Sequence, residues 1–81
     1  MPDARLELLT RAGCHLCVTA AETLARIGAE AGLVPREVDV DADPELQAEY
    51  GDRVPVVLLD GVEHSYFTVD VQRLRRDLGL G

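Results

Sequence analysis

Cys14 and Cys17, separated only by His15-Leu16, are the residues of this chain whose type and spacing could do chemistry. Two sulfurs three positions apart meet across about one turn of helix. There the thiolate of one can attack a disulfide and the other can displace the product. Whether that happens depends on the elements around the pair. Ahead of it, Arg5 to Thr10 alternates apolar and polar residues and then turns apolar at Leu8-Leu9, which reads as a strand that becomes buried toward its end. Gly13 breaks this pattern. From Leu16 the apolar positions Leu16, Cys17, Ala20, Ala21, Leu24, Ile27 and Ala31 recur at three- and four-residue spacing, one face of a long helix. Thr19, Glu22, Thr23, Arg26 and Glu30 fall on its other side, Gly28 permits close packing on a sheet, and Gly32 supplies the stop.

The cysteines therefore sit where a strand ends and a helix begins. Cys14, at the very end, faces unpaired backbone N–H groups and the positive pole of the helix, both of which favour a thiolate. It is the expected nucleophile. Cys17 lies one turn inside on the apolar stripe with Ala21 and Leu24, so it is the expected resolving thiol, more buried than its partner. A purely structural disulfide is a poor alternative, because closing a ring of about four residues restrains the unfolded chain by only ~2 kcal/mol. Zinc would need further ligands, yet the histidines are His15, locked between the cysteines, and the distant His64. No metal site is expected. Asp39, Asp41 and Asp43 read as strand-end and cap residues.

The rest of the chain supplies the frame. Pro35 restarts it, and Val38 and Val40 alternate with Glu37, Asp39 and Asp41 as a strand with one buried face ending near Asp41. Asp43-Pro44-Glu45 is a strong helix start, and Gly51 ends that helix. Val54 to Leu59 is continuously apolar and is followed by Asp60-Gly61, a dipeptide suited to a two-residue hairpin, and by a last strand from Val62 to Tyr66. His64 and Tyr66 alternate there as surface and sheet-packing residues. Asp70 caps a final helix with Val71, Leu74 and Leu78 on one face and Arg73, Arg75 and Arg76 outward. The order is βαβαββα. A right-handed crossover sets the first two strands parallel and the hairpin adds an antiparallel pair, so the expected architecture is α/β, a four-stranded mixed sheet between three helices. Leu6, Leu8, Leu24, Ile27, Val38, Val40, Val56 and Leu58 are the expected core.

Composition narrows the function classes. Eighty-one residues make one small domain, 1–81, and 47% hydrophobic with 28% charged residues is the balance of a folded one. Eight arginines, no lysine and fifteen acidic residues give a net charge of −7, the wrong field for nucleic acid or an anionic membrane. No apolar run approaches the ~18 residues of a membrane span. Met1-Pro2-Asp3-Ala4-Arg5 lacks the regions of a secretory leader, which makes the cytoplasm the expected compartment. In that reducing setting two cysteines do not staple a fold.

The succession of strand, Cys14-His15-Leu16-Cys17, long helix, strand ending in Asp39-Val40-Asp41, short helix, Val54-Pro55 and Val56 to Leu59 resembles the glutaredoxin-like branch of the thioredoxin superfamily. The resemblance covers nearly the whole chain and implies a thioredoxin-like fold. It also implies that Pro55 is a cis-proline facing the cysteine pair and that the backbone of Val54 pairs with an extended substrate segment. In glutaredoxins a basic residue three positions before the first cysteine holds a glutathione carboxylate, and Arg11 stands there. The chain departs elsewhere: Arg53 replaces the threonine before Val-Pro, and Ser65-Tyr66-Phe67-Thr68 replaces a Gly-Gly-Asp type loop, leaving the second glutathione carboxylate without a receptor.

The function expected from these residues is a dithiol thiol–disulfide oxidoreductase with no resident cofactor. Its partners would be protein disulfides or glutathione mixed disulfides and a thiol reductant system, with glutathione as a co-substrate. Arg11 and Arg53 would form a small positive rim near Cys14, with His15 and Arg53 tuning it. Exchange with glutathione is expected to be weak and Arg11-dependent, and exchange with extended protein segments better. Two alternatives use the same fold: a carrier of an iron–sulfur cluster bridged between protomers by Cys14 thiolates and glutathione, and a binding module with Cys14 and Cys17 as a redox-sensitive latch.

Overall fold

The computed structural model describes residues 5–81; Met1 to Ala4, on which the expected lack of a leader partly rested, lie outside the described residues. Strand β1, Leu6–Thr10, leads into helix α1, His15–Ala31, and then strand β2, Arg36–Asp39. A 3₁₀ turn over Val40–Ala42 and helix α2, Pro44–Tyr50, follow, then strands β3, Val56–Leu59, and β4, Val62–Tyr66, and helix α3, Val71–Asp77. The sheet order is β2-β1-β3-β4, with β1 parallel to β2 and antiparallel to β3, and β3 antiparallel to β4. This is the expected mixed sheet in the expected βαβαββα order.

Alternation along the central strands divides the core between the two faces of the sheet. Leu6 and Leu8 of β1 and Val57 of β3 pack with Ala20, Leu24 and Ile27 of α1 and Leu74 of α3. Leu9, Val56 and Leu58 face the other way, with Val40, and are covered by Leu46 and Tyr50 of α2. Both central strands thus carry buried residues on both faces, which is why β3 reads as a continuous apolar run and β1 turns apolar at Leu8-Leu9. The hairpin turn has φ 53° at Asp60 and 82° at Gly61. Positive φ at both central residues is the two-residue turn that matches strand twist.

Four details differ from the sequence reading. The second strand ends at Asp39, because its side chain accepts a hydrogen bond from the Asp41 N–H at 2.9 Å and folds Val40 into the 3₁₀ turn, still fully buried. β3 begins at Val56, one residue after Pro55, which has no N–H for a ladder. Gly28 makes its close approach to the segment after α1 and not to the sheet: an added Cβ would stand 2.7 Å from the Leu33 carbonyl oxygen. His64, read as a surface residue, has a side chain only 6% exposed, hydrogen-bonded through Nε2 to Asp77 at 2.8 Å. Ser65 pairs with Val57 and Glu63 with Leu58, so His64 is the extra residue of a bulge, which re-aims its side chain and breaks simple alternation.

Candidate active site

The C-terminal end of β1 delivers the chain to the cysteines. Gly13 takes φ 75°, a left-handed turn open to glycine, and Cys14 follows as the N-cap of α1 in an extended conformation. As a cap, its Sγ accepts the backbone N–H of Cys17 at 3.2 Å, while its carbonyl accepts the N–H of Cys17 and of Val18. A sulfur has replaced the usual cap oxygen, which places it against helix N–H dipoles that stabilise negative charge. Cys14 is half-buried and Cys17 is 5% exposed. Both are free thiols. Burial, reinforced by the hydrogen bond with Cys14, pushes the Cys17 thiol up to about 11, with the charges of Cys14 and Glu37 acting in the same direction.

This asymmetry has a direct chemical readout. At pH 7 a thiol titrating near 11 carries about 300-fold less thiolate than one at the ordinary ~8.5, and only the thiolate reacts. Alkylation of the reduced protein at neutral pH, followed by peptide mapping, is expected to label Cys14 and spare Cys17. Cys17 should label only as the pH climbs toward 11. Equal labelling of both at pH 7 would contradict the described geometry.

The other residues expected at the site are placed as follows. His15 is exposed at the first position of α1. Leu16, expected on the inward stripe, is 55% exposed; the helical period is right, but in this first turn it faces an apolar hollow of about 240 Å³ shared with Phe67 and Val71. The Val54–Pro55 peptide is cis, and Pro55 is buried. Because Leu9 pairs with Val56, Pro55 stands at the end of the sheet from which the Cys14 loop departs. The Phe67 N–H donates to the carbonyls of Pro55 at 2.8 Å and Arg53 at 3.3 Å, on either side of Val54. Val54's own N–H and C=O have no hydrogen-bond partner among the described residues.

The positive rim is a correction. Arg11 lines a hollow of about 290 Å³ with Cys14 and Cys17, but its guanidinium is engaged elsewhere. Nη2 and Nε meet Asp41 at 2.8 and 3.1 Å, and Nη1 donates to the Gly51 carbonyl at 3.1 Å. Those hydrogen bonds hold the Asp41 carboxyl below its usual range. The pair thus favours the fold above the pH at which a free aspartate titrates, and the benefit is lost as pH falls through Asp41's lowered value. Arg53 pairs with Glu63 at 3.1 Å and lies 5.2 Å from the Tyr50 ring centroid. Each arginine is neutralised by a carboxylate. The unpaired charges lining the cysteine hollow are instead acidic, Glu22 and Glu37, neither of which has a cationic partner among the described residues. Sequence reading left Glu37 on a solvated strand face. The one usable signal was the crossover, which makes β1 and β2 parallel and so brings that face alongside α1.

A four-stranded mixed sheet, a cis-proline beside it and a dithiol capping the first helix define a thioredoxin-fold protein with a C-x-x-C centre. The chain belongs to the glutaredoxin-like domain family (DUF836), whose profile matches residues 5–79. It is 53% identical over 83 residues to the uncharacterized protein Rv0508 of Mycobacterium tuberculosis, across 96% of this chain and 86% of the relative. Among solved structures it is 36% identical to protein XcR50 from X. campestris, at a TM-score of 0.73 over 94% of this chain and 97% of the other. It shares the fold of Fasciola hepatica thioredoxin, at 23% identity and a TM-score of 0.58 over 91% and 76% of the two chains. No helix among the described residues is long and apolar enough to cross a membrane.

Proposed function

We propose that the protein is a thiol–disulfide oxidoreductase, with Cys14 as nucleophile and Cys17 as resolving thiol. The observation that carries this reading is the inequality of two thiols in one hydrogen-bonded pair: a half-buried sulfur capping a helix, and a buried one held protonated. The Cys14 thiolate attacks one sulfur of a target disulfide, forming a mixed disulfide and expelling the other sulfur as a thiolate that takes up a proton. Cys17 then loses its proton and attacks Cys14, releasing the reduced target and leaving Cys14 and Cys17 joined. A dithiol reductant returns the protein to its starting state.

For partners we favour protein disulfides over glutathione mixed disulfides. The unpaired backbone of Val54 offers one N–H and one C=O to an extended segment, whereas Arg11 is tied to Asp41 and Gly51. The test is turnover: catalytic amounts of protein should accelerate reduction of a protein disulfide by a dithiol, and a rate equal to that of the reductant alone refutes the reading. In the same assay Arg11→Ala separates two roles. A charge-assisted contact to a glutathione carboxylate is worth about 10- to 150-fold in affinity, so a glutathione ligand would show as a selective loss of that size. As a strut between loop segments, Arg11 should instead change the rates for both substrate types by similar factors.

A further inference from the structure

Every nitrogen of the Arg11 guanidinium is held by an acceptor of the chain itself. Nη2 and Nε meet the Asp41 carboxylate at 2.8 and 3.1 Å, and Nη1 donates to the Gly51 carbonyl at 3.1 Å. Asp41 is fixed in turn. Its N–H donates to the Asp39 carboxylate at 2.9 Å, its own carboxylate also accepts from Gln47 Nε2 at 3.0 Å, and the 3₁₀ turn that carries it is anchored by the fully buried Val40. Yet Arg11 lines the hollow of about 290 Å³ that holds both cysteines, where a guanidinium fork would match a carboxylate on an incoming substrate. With that fork filled, the charges left on the lining, among the described residues, are those of Glu22 and Glu37. The hollow is acidic.

We propose that Asp41 is a specificity-determining residue: by occupying Arg11 from within the chain, it makes the cysteine site turn away anionic disulfides and accept neutral and cationic ones. The proposal rests on the thiol–disulfide reading above and deepens its choice of partner. The strength of the pair is not the reason, because both side chains are 38% exposed and such ion pairs contribute little by themselves. Competition is. A tethered carboxylate acts at an effective concentration on the order of millimolar or higher, so a dissolved anion at micromolar concentration does not displace it. The approach of an anion is further opposed by Glu22 and Glu37, whose field reaches about 10 Å at 0.1 M salt. Arg53, next to Val54, is paired with Glu63 in the same way and does not stand in for Arg11.

Three small disulfides that differ in charge test this: dithiobis(nitrobenzoate), a dianion, hydroxyethyl disulfide, which is neutral, and cystamine, a dication. In a Cys17→Ser parent the Cys14 thiolate attacks one sulfur, the other sulfur leaves as a thiolate, and the adduct on Cys14 is followed by intact mass after acid quenching. Each probe is compared with its own rate on the parent, which cancels the unequal reactivity of the three. With Asp41→Asn added, the dianion should gain on cystamine by about tenfold, the lower end of one charge-assisted contact, and the gain should shrink as salt is raised. The neutral probe reports whether the fold and Cys14 are intact. Adding Arg11→Gln as well should abolish the gain, because the released guanidinium is its source. Glu30→Gln removes the same charge near the far end of α1, where Glu30 pairs with Arg75, and should give no gain. On the parent itself, added salt should speed the dianion and slow cystamine. An unchanged ratio in Asp41→Asn, a gain that survives Arg11→Gln or appears equally in Glu30→Gln, or the opposite salt trend on the parent overturns the proposal. Failure of all three probes to form an adduct on the parent would instead overturn the reading of Cys14 as nucleophile, and this proposal with it.

Discussion

Cys14→Ser is expected to reduce disulfide exchange to the rate of the reductant alone, whereas Cys17→Ser should still attack its target and then stall as a mixed disulfide. The asymmetry follows from which groups support each sulfur. The hydrogen bond to Cys14 Sγ comes from the backbone N–H of residue 17, at 3.2 Å, and a serine side chain there leaves it in place. The capping geometry that supports a thiolate at Cys14 therefore survives in Cys17→Ser. The converse does not hold. Once Cys14 is serine, the remaining sulfur is 5% exposed, and burial, the largest cause of its raised titration, persists. A hydroxyl does not replace a thiolate as a nucleophile in this chemistry, and Cys17 has neither the access nor the charge to substitute. Intact-mass measurement after mixing each variant with a disulfide target should show an adduct on Cys17→Ser and none on Cys14→Ser. The reverse pattern would exchange the two roles.

The sequence disclosed elements wherever a local rule was uncontested. The apolar period from Cys17 to Ile27, the Asp60-Gly61 turn and the Asp43-Pro44 start are each over-determined, and each lies where it was expected. What misled were residues at which a side chain competes with the backbone pattern. The Asp39 carboxylate, by accepting the Asp41 N–H, shortened β2, and the bulge at His64 turned a side chain inward that alternation had placed outside. At the site, the cysteines were legible because three-residue spacing at a strand–helix junction is a local signature. The charges around them were not. Arg11 is 30 residues from the Asp41 that neutralises it, and Glu37 comes to the cysteine hollow through the β1–β2 register. Such pairings depend on how the sheet is stacked, and composition gives only the excess of carboxylates from which a partner for every arginine can be found.

Those long-range placements stand on a small core, and Leu24→Ala is expected to show how small. Leu24 is fully buried in the middle of α1, packed with Leu6, Leu8 and Val57 of the sheet and Leu74 of α3. Truncating a buried leucine to alanine costs about 2–5 kcal/mol through lost burial and the cavity left behind. A chain of 81 residues has a total stability of only roughly 4–12 kcal/mol. At about 4–8 °C per kcal/mol for a domain of this size, the melting temperature should fall by roughly 10–40 °C. Val34→Ala, at a position 87% exposed, should stay within about 0.5 kcal/mol of the parent. Leu24→Ala should also alter the chemistry. Burial is what chiefly holds the Cys17 proton, so each opening of the weakened core exposes a thiol whose titration returns toward the ordinary ~8.5, and Cys17 becomes open to alkylation at neutral pH. Thermal melts and site-resolved alkylation of Leu24→Ala should therefore move together. A melt that falls as expected while Cys17 is still spared would show that the inequality of the two thiols is set by the helix end alone and not by the core beneath it.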